Sequence, residues 1–250
     1  MLTSVIEAGV SVGAYPELAG KRILITGMEL DSGVDLARGF AEQGCRIVLH
    51  TTATGEESDA VLEMLACTAS ELQVYNEPLD TMDSAVRFAQ MAAKTYGGLD
   101  AVINLVKLNL SCGDRVASVD SIERAMADQL QNACLMTRIA ANRMRLMWSE
   151  GLILNVAVCP APTSARETAL LSIARTMLAS MTRTEAQEWA DQAIRINAVA
   201  PCTNALLSDP CLTSEPDVAA LALYLAGGHG AELSGIVFDL GQSAALRRAA

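Results

Sequence analysis

Residues 22–44 read RILITGMELDSGVDLARGFAEQG, and this stretch decides the fold. Arg22 to Thr26 is a short apolar run of the kind a buried parallel strand needs. Gly27 opens a turn. Val34, Leu36, Ala37, Phe40 and Ala41 follow at mixed three- and four-residue spacings, which places them on one helical face, and Gly44 sits where a helix ends. A glycine-rich turn between a first strand and a first helix is where α/β proteins hold a dinucleotide pyrophosphate. Here the turn carries Glu29 and Asp31, so acid stands where phosphates are expected.

The rest of the chain supplies the material for one large α/β domain. Its 250 residues are 51% hydrophobic and 19% charged, the balance of a globular chain rather than a disordered one. A net charge of −11 argues against nucleic acid and anionic membrane as partners. No run reaches the roughly 18 apolar residues of a membrane span, and the N-terminus has neither the basic start nor the cleavage site of a secretory signal. The seven cysteines form no C-x-x-C pair and are odd in number, as in a reduced, cytoplasmic protein.

Strands and helices are expected to alternate. Residues 1–18 read as an extension, a candidate contact arm for a neighbouring subunit, ahead of a single domain over 19–250. Apolar runs at 46–50, 72–75, 99–106, 151–158, 194–200 and 236–240 predict six further strands. Amphipathic segments at 60–67, 84–96, 122–148, 166–189 and 215–225 predict the helices between them. Strands alternating with helices imply a parallel sheet of about seven strands covered on both faces, a Rossmann-like doubly wound fold.

The order and spacing of these segments resemble the short-chain dehydrogenase/reductase family from about Leu18 to Ser243. Leu18-Ala-Gly-Lys-Arg-Ile-Leu-Ile-Thr-Gly27 resembles its first strand, and Tyr96-Gly-Gly-Leu-Asp100 the lead-in to its fourth. Ile194-Arg-Ile-Asn-Ala-Val-Ala-Pro201 is similar to its most recognisable scaffold stretch. Glu215-Pro-Asp-Val-Ala219, Leu223-Tyr-Leu-Ala226 and Ser234-Gly235 follow its C-terminal pattern. The family mechanism uses a tyrosine proton, tuned by a lysine four residues on, with a serine and an asparagine in support. Counting back from Ile194 through Thr182-Arg183 and Glu188 puts Leu171 at the tyrosine position and Arg175 at the lysine position. The serine position falls on Val158 and the asparagine on Gln129. A leucine has no proton to give, and Arg175 keeps a charge that cannot be retuned.

The family turn T-G-x-x-x-G-x-G keeps Thr26, Gly27 and Gly33, but its middle glycine is Asp31, whose charge and bulk are expected to oppose a pyrophosphate. The acid that would hold an NAD ribose is replaced by Thr51. The family's N-N-A-G after the fourth strand reads Asn104-Leu-Val-Lys107. Only Cys202 to Ser214 stand where a substrate lid is expected. His50 and His229 read as polar termini, Cys159 as a buried structural thiol, and the methionines of the two long helices (Met126, Met136, Met144, Met147, Met177, Met181) as core or subunit contact.

The resemblance and its losses together imply a chain that has no catalytic residues, binds no cofactor or metal itself, and pairs with an active short-chain dehydrogenase that carries NAD. The contact would run through the helices around 122–148 and 166–189 and the C-terminal strand, in a heterotetramer like those of anaerobic aromatic degradation. Two alternatives remain open at this point: an enzyme with an altered, non-family site built on Arg175 with Gln129 or Cys159, and a ligand-binding regulatory module.

Overall fold

The computed structural model describes residues 15–79, 81–109, 119–147, 149–159, 162, 164–202, 212 and 214–240. Within them seven strands, β1 (Arg22–Met28), β2 (Arg46–Thr51), β3 (Glu71–Tyr75), β4 (Ala101–Lys107), β5 (Gly151–Val158), β6 (Ile194–Pro201) and β7 (Val237–Leu240), form one sheet in the order β3-β2-β1-β4-β5-β6-β7. Every neighbouring pair is parallel. Six helices connect them: α1 (Val34–Glu42), α2 (Glu56–Thr68), α3 (Met82–Thr95), α4 (Val119–Leu146), α5 (Ala165–Trp189) and α6 (Glu215–Ala226). The doubly wound parallel sheet expected from the apolar runs is the fold observed.

The two faces are covered by different helices. Leu36, Phe40 and Ala41 of α1, Leu65 of α2 and Val218, Ala222 and Leu223 of α6 pack one face, against Ile23, Ile25, Ile47 and Ile103. Phe88 and Ala92 of α3, Met136 and Ala140 of α4, and Leu170, Leu171 and Ala174 of α5 pack the other. Gly39 brings α1 against α6, because a Cβ there would lie 3.3 Å from Leu223 Cδ1. At the N-terminal ends of β1 and β4, Asp100 accepts from the Arg22 amide at 2.8 Å and from its Nε and Nη2 at 2.9 and 2.8 Å.

The element boundaries depart from expectation where polar residues open a helix. α2 begins at Glu56, four residues before the expected start, since Glu56, Glu57 and Asp59 suit the positive end of the helix dipole. α3 begins at Met82 because Thr81 and Ser84 form a reciprocal capping box. β1 runs on through Gly27 to Met28 instead of turning at Gly27. Gly27 takes φ 76°, the register shifts between Ile25 and Met28, and the strand resumes opposite Thr51. The extension before residue 15, the loop expected near 111–113, most of the lid stretch 202–214 and the end of the α4 segment at Trp148 lie outside the described residues.

The chain order reverses between β1 and β4. In an open parallel sheet the crevice beyond the carboxyl ends of two such strands is the natural place for a ligand. The residues there are Thr26 to Gly33 on one side and Asn104 to Lys107 on the other.

Candidate functional site

The turn after β1 uses its own polar groups. The Glu29 and Ser32 amides donate to each other's carbonyls at 2.9 and 3.1 Å, closing Glu29-Leu30-Asp31-Ser32 into a tight loop. The Gly27 amide points at His50 Nδ1, 3.3 Å away, while Nε2 of that imidazole lies 3.0 Å from the Glu77 carbonyl. The pair of contacts defines a neutral ring with its proton on Nε2, accepting at Nδ1. Burial lowers the His50 pKa, against the opposing pull of the Glu77 carbonyl and of Glu29. The histidine read as a polar strand end is therefore a partner of the turn itself.

Asp31 does not lie where the sequence placed it. Its side chain is exposed, takes a hydrogen bond from the Ser32 hydroxyl at 3.3 Å, and lines neither cavity of the crevice. The loop it sits in folds back on itself, and that carries the carboxylate outward. The acid over the turn is Glu215, the first residue of α6. Its Oε1 accepts from the Asp35 amide at 2.9 Å, at the N-terminus of α1. Burial raises the Glu215 pKa, with Asp35 adding to the rise, while hydrogen bonds from the Asp35, Gly33 and Leu36 amides hold it back. These amides belong to the orphan donors of a helix start. Gly33, the helix N-cap at φ 91°, has no side chain to satisfy them.

Leu105 fills the remaining space. A Cβ on Gly33 would fall 2.3 Å from Leu105 Cδ1, and one on Gly27 would fall 2.7 Å from the Leu105 carbonyl oxygen. The Leu105 side chain thus lies directly on the turn. Among the described residues it is also the one shared by the two cavities of the crevice. On one side is an apolar cavity of about 40 Å³ between Gly33, Val156, Val158, Cys159, Glu215 and Leu240. On the other is a more polar cavity of about 320 Å³ whose walls include Glu29, His50, Asn104, Lys107, Gln129 and Asn132. Small-molecule sites span roughly 300–1,000 Å³. The smaller cavity is a packing gap, and the larger one is the size of a small ligand site.

The residues that the resemblance assigns to the four family positions have separate fates. Leu171 is fully buried in the apolar cluster with Met126, Leu130 and Ala174, and lines neither cavity. Arg175 turns to the carboxyl ends of β6 and β7. Its Nη1 donates to the Ala200 and Pro201 carbonyls at 3.2 and 3.1 Å, and its Nη2 pairs with Asp239. Val158 lines the small cavity. Gln129 lines the large one, where its side chain clamps the segment after β4 by accepting from the Asn109 amide at 2.6 Å and donating to the Asn109 carbonyl at 3.3 Å. Thr51, at the ribose position, accepts from the Ala53 amide at 3.1 Å. Cys159, expected to be buried, is only partly so and lines the small cavity, and burial pushes its thiol up to about 11.

A dinucleotide does not fit this arrangement. Its pyrophosphate would have to displace both the Glu215 carboxyl from the α1 amides and the Leu105 side chain from Gly33. Neither blocker was found by reading the turn alone. Leu105 carried a signal, a bulky residue in place of a small one. Glu215 carried none, because it lies 180 residues from its partner in sequence.

The crevice at the β1/β4 switch, with a glycine turn leading into α1, defines the class: a Rossmann-type doubly wound α/β protein. A family model described as enoyl-(acyl carrier protein) reductase matches residues 32–210. The chain belongs to the short-chain dehydrogenase/reductase family. It is 24% identical to 3beta-hydroxysteroid dehydrogenase 1 of Eggerthella lenta, covering 88% of this chain and 92% of that protein. It is 23% identical to glucose 1-dehydrogenase 2 of Bacillus subtilis, over 78% and 76% of the two chains. Among solved structures, a short-chain dehydrogenase/reductase from Serratia marcescens superposes with a TM-score of 0.72 at 14% identity, over 91% of this chain and 99% of that one, a likeness of fold. Among the described residues no helix is long and apolar enough to cross a membrane.

Proposed function

We propose that this chain is a non-catalytic subunit of a hetero-oligomeric NAD-dependent short-chain alcohol dehydrogenase, and that NAD is carried by an active paralogue. The observation that carries the reading is Leu105 lying on Gly33, which puts hydrocarbon where the family turn must receive a phosphate. Leu171 in the core and Arg175 clasping β6 and β7 agree with it, since the proton donor is gone and the remaining charge is used in the scaffold. The fold is kept because the outer faces of α4 and α5, together with β7, serve as the contact with the active subunit. The pattern of losses resembles that of the inactive subunit of the heterotetrameric 2-(α-hydroxybenzyl)succinyl-CoA dehydrogenase of anaerobic toluene degradation. A hydroxyacyl-CoA is accordingly the substrate class proposed for the complex, and the cytoplasm its place.

Calorimetric titration of the purified chain with NAD(H) and NADP(H) tests the cofactor half: no saturable heat is expected, and micromolar binding overturns the reading. Co-expression with a neighbouring intact dehydrogenase tests the subunit half. The two chains are expected to elute together, and separate elution with a fully active, stable partner refutes it.

The 320 Å³ cavity favours a second reading, a ligand-binding regulatory module. Against it, Gln129, Asn132 and His50 of that wall already have intramolecular partners. Fragment screening by ligand-observed NMR, with Lys107→Met as the control, separates the two.

A further inference from the structure

The amides at the start of α1 are the donors that a helix N-terminus offers to an anion. In this chain the Asp35 amide is already taken, by a carboxyl group from α6, the neighbouring helix on the same face of the sheet. Glu215 reaches it from the first turn of α6, with Oε1 accepting from the Asp35 amide at 2.9 Å. The Asp35 carboxylate does not compete for the place, because it turns outward to Arg38 Nη2 at 2.6 Å. The same Glu215, besides capping the helix, forms a wall of the 40 Å³ cavity beside Ser32 and Gly33. Two features therefore meet in one residue: an α1 donor is satisfied from within, and the same side chain walls the cavity beside it.

We propose that Glu215 is an internal plug, a carboxyl group standing in for a dinucleotide phosphate, which closes the α1 amides to external phosphates and ties α6 to α1 in their place. The proposal rests on the reading of a subunit without its own cofactor and deepens it by naming the group that occupies the site. The plug works through oxygen acceptors aimed at amides. An isosteric amide keeps one such oxygen and a methyl group keeps none, so the two substitutions separate the proposal from a general loss of packing.

The test uses the full chain and inorganic pyrophosphate as the probe, read by thermal unfolding and by amide NMR. The wild-type chain and Glu215→Gln are expected to show no response to pyrophosphate. Glu215→Ala, or Glu215→Ala combined with Leu105→Ala, is expected to gain saturable binding, with a rise in Tm of about 2–4 °C at saturation and shifts at the Gly33, Asp35 and Leu36 amides. Pyrophosphate binding to the wild-type chain at those amides overturns the proposal. So does the absence of binding in both alanine variants when circular dichroism shows them folded. If neither alanine variant folds, Glu215→Gln decides: its Asp35 amide resonance must move away from the wild-type position, and an unmoved resonance refutes the contact. Failure here leaves the subunit reading standing, since that reading falls only to NAD(H) binding or to separate elution of the partner.

Discussion

The contact between Leu105 and the turn makes a prediction about which glycine substitutions can be rescued. Alanine at Gly33 pays first for backbone geometry, since φ 91° is left-handed, at about 1–2 kcal/mol. Its Cβ would then meet Leu105 Cδ1 at 2.3 Å, and forcing that half-buried side chain aside adds about 1–3 kcal/mol. Leu105→Ala alone is expected to cost about 2 kcal/mol, the low end for a large-to-small change, because the side chain is only partly buried. In the double variant the obstacle is gone, so the combined loss should fall short of the sum by about 1–3 kcal/mol. Gly27→Ala is the control. Its Cβ meets the Leu105 carbonyl oxygen at 2.7 Å, a backbone atom that Leu105→Ala leaves in place. Coupling there should be within about 0.5 kcal/mol of zero. Urea denaturation followed by far-UV circular dichroism gives all six stabilities. Additive losses at 33 and 105, or equal coupling at 27 and 33, would refute the placement of the leucine side chain over the turn.

Other expectations follow from single contacts. Arg175→Met removes the clasp on the Ala200 and Pro201 carbonyls and leaves Asp239 without its cation, and should lower stability by about 1–3 kcal/mol in urea melts while NAD(H) binding stays absent. Leu171→Tyr, the family residue restored, should cost about 1–3 kcal/mol by overpacking a fully buried position, with no gain of dehydrogenase activity in a coupled assay. Burial opposes ionisation of Asp100, but the Arg22 hydrogen bonds outweigh it and leave the pKa below its ordinary value. A depressed carboxylate stabilises above its unfolded pKa and is lost as pH falls through the folded one. Stability should therefore drop on acidification below about pH 4, and Asp100→Asn should flatten that slope in melts taken across the range. In thiol labelling read by peptide mass spectrometry, exposed Cys67 should react well before Cys159 and Cys45, whose thiols burial pushes up to about 11 and about 12.

The fold was legible because its signal is repeated. Each strand is an apolar run between turn residues, and an error at one end, as at Glu56 or Met82, leaves the alternation intact. For the site, sequence reasoning reaches only what one side chain can say alone. Counting along one unbroken helix into β6 assigns Leu171 and Arg175 to family positions, and the structure places the first in the core and the second against β6 and β7. The turn could not be judged that way. Asp31 is a charge in a phosphate loop on paper, yet four residues of local hydrogen bonding turn it to solvent. Glu215 reads as an ordinary acidic residue before a helix-opening proline, and its meaning depends on a contact between the first and last helices.

That contact bears on how the donors of such a turn are satisfied. The donors at the start of α1 and after β1 exist whatever the chain binds, and a buried amide without an acceptor costs about 1–3 kcal/mol. With a cofactor the phosphate supplies acceptors; without one they must come from the chain. Here the Gly27 amide meets His50, the Glu29 and Ser32 amides meet each other's carbonyls, and the Asp35 amide meets Glu215. These internal acceptors satisfy the amides of the turn from within the chain, and the leucine over Gly33 packs against it.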